Sequence, residues 1–317
     1  MNKILLKLNF WIESLIESKP REERSIFTKI WENALKLIDN YLLYFYLTIK
    51  QIFGFIRVNP LIDSQDLPII SLTSFPARLC NLWMVIYEMY CQTIKPGKIV
   101  VTLINEEIPG GYDSLPNSLK FFSDKGVEFI FGDDNLKPHN KYFYCRQKYP
   151  DRILITIDDD LLYYPNTIEN LMSLNKEFPS CVCSNRVQPL PIKGNSFAPK
   201  KEWQCKVVNR EPSHVLLALG YSAVLYPPSF CSEIMYNKTL INKLSLNADD
   251  LWLKAVEIFS DVKVVSGDYY SCPVTLPSSQ RISLQSINNS EENPRNELYL
   301  KKLNDYFKLI ERISNSL

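Results

Sequence analysis

The chain has 317 residues, of which 46% are hydrophobic and 22% are charged, the balance of a folded protein with one large domain or two small ones. Its 36 Lys and Arg residues nearly match its 35 Asp and Glu residues, so the formal net charge is +1. This balance argues against a chain-wide basic surface, and we do not expect nucleic acid as a partner.

The cysteines and the first residues bear on the cellular compartment. The eight cysteines do not form the Cys-x-x-Cys pairs of a structural zinc site, and the start of the chain lacks the small-residue cleavage site of a secretory signal. Reduced thiols are typical of the cytosol. The sequence therefore predicts a cytoplasmic protein, either free or peripheral on the inner face of the cell membrane.

Residues 1–60 are predicted to form a helical arm ahead of a main domain over 67–317. The arm ends in an apolar run, 41–58, but Lys50 lies in its middle and argues against a membrane span. Two interpretations remain open. The arm packs on protein, or residues 1–58 lie in a membrane surface, to which nine basic against six acidic residues give a mild attraction.

Strand-like and helix-like segments alternate from residue 67 onward. The predicted strands cover 67–74, 98–103, 127–131 and 152–157, and the predicted helices between them cover 78–93, 115–126 and 141–149. This alternation predicts an α/β fold with a mostly parallel central sheet and helices on both faces. Ligands of such sheets bind beyond the carboxyl ends of the strands.

Three adjacent carboxylates, Asp158, Asp159 and Asp160, follow the fourth predicted strand. Asp158 and Asp160 have Asp-x-Asp spacing, and hard divalent cations prefer such oxygen ligands while they bridge to a substrate's phosphates. The pair therefore indicates a site for a hard divalent cation. The other interpretation is an acidic turn in solvent.

Other polar residues are predicted at the same edge of the sheet. Thr73, Ser74 and Arg78 follow the first strand, and Lys141 follows the third; each has a purely structural alternative as a turn, a helix start or a solvated charge. Farther along, Asp249 and Asp250 begin a helix-like segment, where acids also favour the helix dipole.

Five segments in this order resemble bacterial GT-A-fold glycosyltransferases of cell-surface polysaccharide (capsule and lipopolysaccharide) biosynthesis. They are TSFPARL, QTIKPGKIVVTL, KPHNKY, TIDDDLLYYP and NADDLWL, within about residues 67–270. The resemblance implies a Rossmann-like GT-A domain, a nucleotide-sugar donor, a glycan or lipid-linked acceptor, and Mn²⁺ or Mg²⁺ as the cofactor.

Position after the strands and the resemblance together predict a role for each candidate residue, and the resemblance implies those of Asp158, Asp160 and one acid of Asp249 and Asp250. The donor would contact Thr73, Ser74, Arg78, Lys141, Asp158 and Asp159; the metal would bind Asp160 and Asp158; the acceptor would contact Gly220 and Tyr221. Asp250 is the first choice for the catalytic base and Asp249 the second, in an inverting transfer; a retaining one remains open. The sequence departs from the family pattern because it has no His after His214 to serve as a further metal ligand, and Gly220 stands alone.

Two other functions remain open. A sugar-phosphate nucleotidyltransferase also uses an α/β domain, carboxylates and a metal, but normally has a glycine-rich loop after the first strand, which SLTSFPARL lacks. The second is a catalytically inactive subunit of the same fold that binds or assembles partners.

Overall fold

The computed structural model describes residues 34, 41–52, 54, 56–203, 209–267, 273–276 and 295–315. Most of the predicted arm lies outside the described residues, so its boundary and its membrane contact stay predictions.

The regular elements are numbered in chain order. The strands β1 to β13 are Ile69–Thr73, Lys98–Ile104, Val127–Gly132, Leu154–Thr156, Leu161–Leu162, Val182–Ser184, Val187–Pro189, Ile192–Lys193, Ser196–Phe197, Leu216–Ala218, Val224–Tyr226, Val264–Ser266 and Val274–Thr275. The described helices α1 to α9 are 41–52, Leu79–Tyr90, Asn117–Lys120, Asn140–Lys148, Thr167–Glu177, Lys238–Leu244, Asp249–Phe259, Arg295–Phe307 and Leu309–Asn315.

A seven-stranded sheet in the order β12-β6-β11-β4-β1-β2-β3 forms the centre of the fold. β1 pairs in parallel with β2 and β4, β2 with β3, and β6 with β12, whereas β11 runs antiparallel to β4 and β6. The predicted α/β fold with a mostly parallel sheet is confirmed. The antiparallel strand β11 was not predicted.

The two faces of the sheet face two hydrophobic cores. Ile70 and Ile99 point to the core that contains Trp83 of α2, whereas Ile69 and Val100 point to the core that contains Trp252 of α7. Successive side chains of a strand point to opposite faces, so continuous apolar runs are buried on both sides. The sheet is thereby fixed between helices, and its carboxyl edge can carry polar loops.

One predicted helix is much shorter in the structure. Of residues 115–126, only Asn117–Lys120 are α-helical, and a 3₁₀ turn follows at Ser123–Lys125. Gly126 ends the segment with a φ of 99°, a left-handed conformation that favours glycine. The predicted glycine stop is therefore correct.

Helix α1, within the predicted arm, has one buried and one exposed face. Leu43 and Leu47 are buried in the core with Trp83, whereas Phe45 is 63% exposed. The described helices include none that combines the length and apolar character needed to cross a membrane. Residues 41–52 therefore pack on the main domain through one face, as expected of an amphipathic helix.

Replacing Leu47 with Ala is expected to lower the free energy of unfolding by about 2–5 kcal/mol, because a fully buried leucine leaves a cavity. Phe45→Ala on the exposed face of α1 is the matched control, with an expected change within about 0.5 kcal/mol. Urea unfolding measures both values. Equal effects of the two substitutions would contradict the packing of α1 on the core.

Candidate active site

A cavity of about 700 Å³ opens at the carboxyl edge of the sheet. The predicted site residues that line it are Thr73, Ser74, Arg78, Lys141, Asp158, Asp159, Asp160, Tyr221, Asp249 and Asp250. Gly220 lies beside it and donates its backbone N–H to Asp250 Oδ2 at 3.2 Å. The structure therefore brings together every residue that the sequence singled out, although their roles stay predictions.

The order of the strands explains this meeting. β1 and β4 are parallel neighbours, with Ser71 opposite Thr156, so the loops that follow them leave the same edge. The loop after β4 is held in place because Tyr163 Oη accepts the N–H of Asp158 at 2.9 Å and Asp160 O accepts the N–H of Leu276 at 2.9 Å. The loop thus presents its carboxylates at a fixed position.

Asp159, the middle carboxylate, joins the loops after β1 and β4. Its side chain accepts hydrogen bonds from Ser74 Oγ and Arg78 Nη1, and Arg78 Nη2 also lies 3.1 Å from Asp160 Oδ2. Burial raises the pKa of Asp159, while the charge of Arg78 opposes this shift. Ser74, Arg78 and Asp159 therefore bond to one another across the two loops.

Lys141, at the start of α4, lies among carboxylates. Its Nζ is 3.1 Å from Asp158 Oδ1 and 2.7 Å from Asp249 Oδ2. Burial alone would lower the pKa of Lys141, but these carboxylates outweigh it and hold the pKa well above its ordinary value. Lys141 is therefore a buried, charged amine that links β4's loop to α7.

The pKa values of Asp249 and Asp250, at the start of α7, are shifted in opposite directions. Burial would raise the pKa of Asp249, but the adjacent Lys141 outweighs it and the pKa is lowered. Burial and the charge of Asp249 raise the pKa of Asp250 to about 7. A carboxyl group with such a pKa can exchange a proton near neutral pH, as a general base must.

Gly220 allows this close arrangement. A Cβ atom at this position would lie 2.5 Å from Asp250 Oδ1 and 3.0 Å from Lys141 Nζ. The first distance is below any ordinary van der Waals contact. A side chain at position 220 would therefore displace the Asp250 carboxyl group.

The two histidines have structural partners. His139 is fully buried and its ring nitrogens lie 3.0 Å from Tyr142 Oη and 2.9 Å from Ser245 O; burial lowers its pKa to about 4. His214 Nε2 lies 3.0 Å from Asp261 Oδ1. The pKa of His214 is lowered, mainly because the ring is partly buried. Neither histidine lines the cavity.

The acids of the cavity fit a divalent cation that is shared with a ligand. Six carboxylate residues and four basic residues line the cavity, a formal charge of −2. In the part of the chain that the structure describes, no three His, Cys, Asp or Glu side chains are grouped to hold a metal. Magnesium-like ions are commonly held by one or two carboxylates together with phosphates and water, and Asp158 with Asp160 supplies that donor set.

Several lining residues were missed by the sequence reasoning. Glu107 and Asn135 follow β2 and β3, and Asn135 Nδ2 donates to Glu107 Oε1 at 2.7 Å. Lys137 and Trp203 also line the cavity. The signal for the first three was their place directly after predicted parallel strands; Trp203 had no such signal.

No protein-family model and no curated protein matches the chain. Among solved structures, the chain is similar to residues 1–349 of S. aureus TarS, at 11% identity over 76% of this chain and 71% of that chain, with a TM-score of 0.42. The chain is also similar to the TarS structure in complex with UDP, at 10% identity over 76% of this chain and 72% of that chain, with a TM-score of 0.43. The inositol-1-phosphate CTP transferase from T. maritima gives 12% identity over 77% of this chain and 98% of that chain, with a TM-score of 0.38.

Asp250→Asn is expected to stabilise the protein increasingly as the pH rises from about 4 to 8. The native pKa of Asp250 exceeds the unfolded value of about 4, so the folded state retains a proton that the unfolded state has lost, and this group's contribution to stability falls over that range. Asparagine carries no charge to bury. We expect a gain in Tm of a few degrees at pH 8, since about 1 kcal/mol corresponds to about 2–4 °C in larger domains.

Differential scanning fluorimetry across this pH range measures the effect. Asp151→Asn, which removes a carboxylate at an exposed position, is the control. A Tm difference between Asp250→Asn and wild type that does not change with pH would contradict the raised pKa.

Proposed function

We propose that this protein is a metal-dependent glycosyltransferase that moves a sugar from a nucleotide-sugar donor to a hydroxyl group of a glycan or lipid-linked acceptor. The observation that carries the proposal is the meeting, in one cavity, of a carboxyl group with a pKa of about 7 (Asp250) and the acidic pair Asp158 and Asp160. The first suits proton transfer from an acceptor, and the second suits a diphosphate with its cation.

The edge of the sheet suggests how the donor lies. The loops after β4, β1, β2 and β3 follow one another along this edge, and neighbouring strands are about 4.8 Å apart. Four loops thus span about 14 Å, the length scale of a nucleoside diphosphate. We place the diphosphate near Asp158 and Asp160 and the nucleoside toward Thr73 and the missed residues Glu107 and Asn135.

Mn²⁺ or Mg²⁺ would be held by Asp160 and Asp158 and would neutralise the charge of the diphosphate leaving group. The charge of the cavity favours such a cation. The lining residues carry a formal charge of −2, which would repel a nucleotide anion if no cation were bound between them. Arg78 cannot supply that charge freely, since it is bonded to Asp159 and Asp160.

Asp250 is the proposed base. The acceptor hydroxyl oxygen forms a bond to the anomeric carbon, its proton passes to Asp250, and the bond between that carbon and the diphosphate oxygen breaks. This single displacement would invert the anomeric centre. Asp250 is favoured over Asp249 because the charge of Asp249 is already neutralised by Lys141 at 2.7 Å.

The acceptor would approach from the side of Gly220 and Tyr221. Tyr221 lines the cavity and its hydroxyl accepts a hydrogen bond from the buried Arg186 Nη1 at 3.1 Å, which fixes the ring. A fixed aromatic face beside the base suits a sugar ring. A role in cell-surface polysaccharide synthesis, with the arm at the membrane surface, would complete this proposal.

The test is hydrolysis of a panel of UDP-, GDP- and CMP-sugars with Mn²⁺, in which water takes the place of the acceptor hydroxyl and release of the nucleotide is measured. We expect one donor to react, at a rate that rises with pH through about 7 because Asp250 must be ionised. Asp250→Asn should lower this rate about 10²- to 10⁴-fold, the usual share of general-base catalysis.

Asp151→Asn serves as the surface control and should keep the wild-type rate. Full activity of Asp250→Asn would contradict the assignment of the base. A folded wild-type protein that turns over none of these donors would favour an inactive subunit of the same fold.

A further inference from the structure

Lys141 is bonded to both halves of the proposed site. Asp158, one of its partners, belongs to the loop after β4, and Asp249, the other, begins α7. The strand β1 fixes its backbone, because Ser71 Oγ donates to Lys141 O. A single amine thus connects the loop that would meet the donor with the helix that carries Asp250.

We propose that Lys141 is a positioning residue that holds the Asp158 loop and the start of α7 together, and that it does not contact the donor's phosphates. This inference rests on the proposed function, and it differs from the phosphate contact that the sequence suggests for Lys141.

The surroundings of the amine favour positioning. The side chain of Lys141 is only 7% exposed, although it borders the cavity. Its Nζ donates to Asp158 Oδ1 at 3.1 Å and forms an ion pair with Asp249 Oδ2 at 2.7 Å. A phosphate that drew Lys141 away from these partners would leave a buried carboxylate without its counter-charge, which is costly.

Gly220 leaves room for Lys141 and Asp250. A Cβ added at position 220 would lie 3.0 Å from Lys141 Nζ and 2.5 Å from Asp250 Oδ1. A side chain at this position would therefore crowd both the amine and the Asp250 carboxyl group.

Lys141 also gives the two acids of α7 different tasks. By pairing with Asp249, the amine makes that residue a fixed anion of the framework. Asp250, held instead by the N–H of Gly220 at 3.2 Å, is left to exchange protons with an acceptor. Removal of Lys141 should therefore disturb catalysis through Asp249, and removal of both partners should undo part of the damage.

The experiment compares Lys141→Met, Asp249→Asn and the double variant Lys141→Met/Asp249→Asn. Lys148→Met, an exposed lysine on the same helix α4, is the control. Three quantities are measured for each variant: Tm without any ligand, the dissociation constant of the nucleotide that wild type binds from the panel UDP, GDP, CMP with Mn²⁺, and kcat for release of the nucleotide from its sugar donor.

We expect Lys141→Met to lower Tm and to lower kcat about 10²-fold, the effect of a displacement of about 1 Å, while the dissociation constant changes less than about threefold. The double variant should regain part of the lost Tm and about tenfold in kcat, because Asp249 no longer leaves an unpaired buried charge, although Asp158 still lacks its partner. Lys148→Met should match wild type in all three quantities.

Two results would overturn the inference. One is a loss of nucleotide affinity of about tenfold or more in Lys141→Met that the double variant does not restore, which would indicate a phosphate contact. The other is a Tm of the double variant that equals the sum of the two single effects, which would show that the pair does not couple. If Lys141→Met does not fold, the double variant and Asp249→Asn decide the same questions.

A failure of the proposed function has a different signature. Wild type would then bind no nucleotide and turn over no donor, and the catalytic part of the inference would fall with it. The Tm values, which need no ligand, would still decide whether Lys141 holds the loop and the helix together.

Discussion

The site depends on the balance between five clustered aspartates and two cations, the partly buried Arg78 and the buried Lys141. Three of the aspartates follow β4 and two begin α7, and such a group would repel itself in a low-dielectric site. Arg78 neutralises the middle of the triplet, and Lys141 joins its first member to the helix. Asp160 and Asp250 also line the cavity, where we propose that they serve a cation and an acceptor.

The sheet determines where this balance is made. Parallel pairing of β1 with β4 brings their following loops to one edge. Because β11 runs antiparallel to β4, the start of β11, which follows position 220, lies at the same edge. The buried strands leave the polar chemistry to the loops. The fold therefore separates stability, carried by the two apolar cores, from the charges of the site, which cost stability where they are buried.

Much of this could be predicted from the sequence, because local patterns carried it. The apolar runs of β1 to β4 and the helix-like segments between them indicated a mostly parallel sheet, and residues after parallel strands necessarily share an edge. The pairings could not be predicted. Arg78 bonds to Asp159, which lies 81 positions later in the chain. Lys141 contacts Asp158, 17 positions later, and also Asp249, which is farther still. No local pattern indicates such contacts. Trp203 reaches the cavity through a segment without any periodic pattern.

The most direct test of the account is a calorimetric titration of UDP, GDP and CMP, each with and without Mn²⁺, into wild type and into Asp160→Ala. We predict that one nucleotide binds, that binding requires Mn²⁺, and that Asp160→Ala abolishes the effect of the metal. Binding of none of the three to the folded protein, or equal binding without the metal, would contradict it.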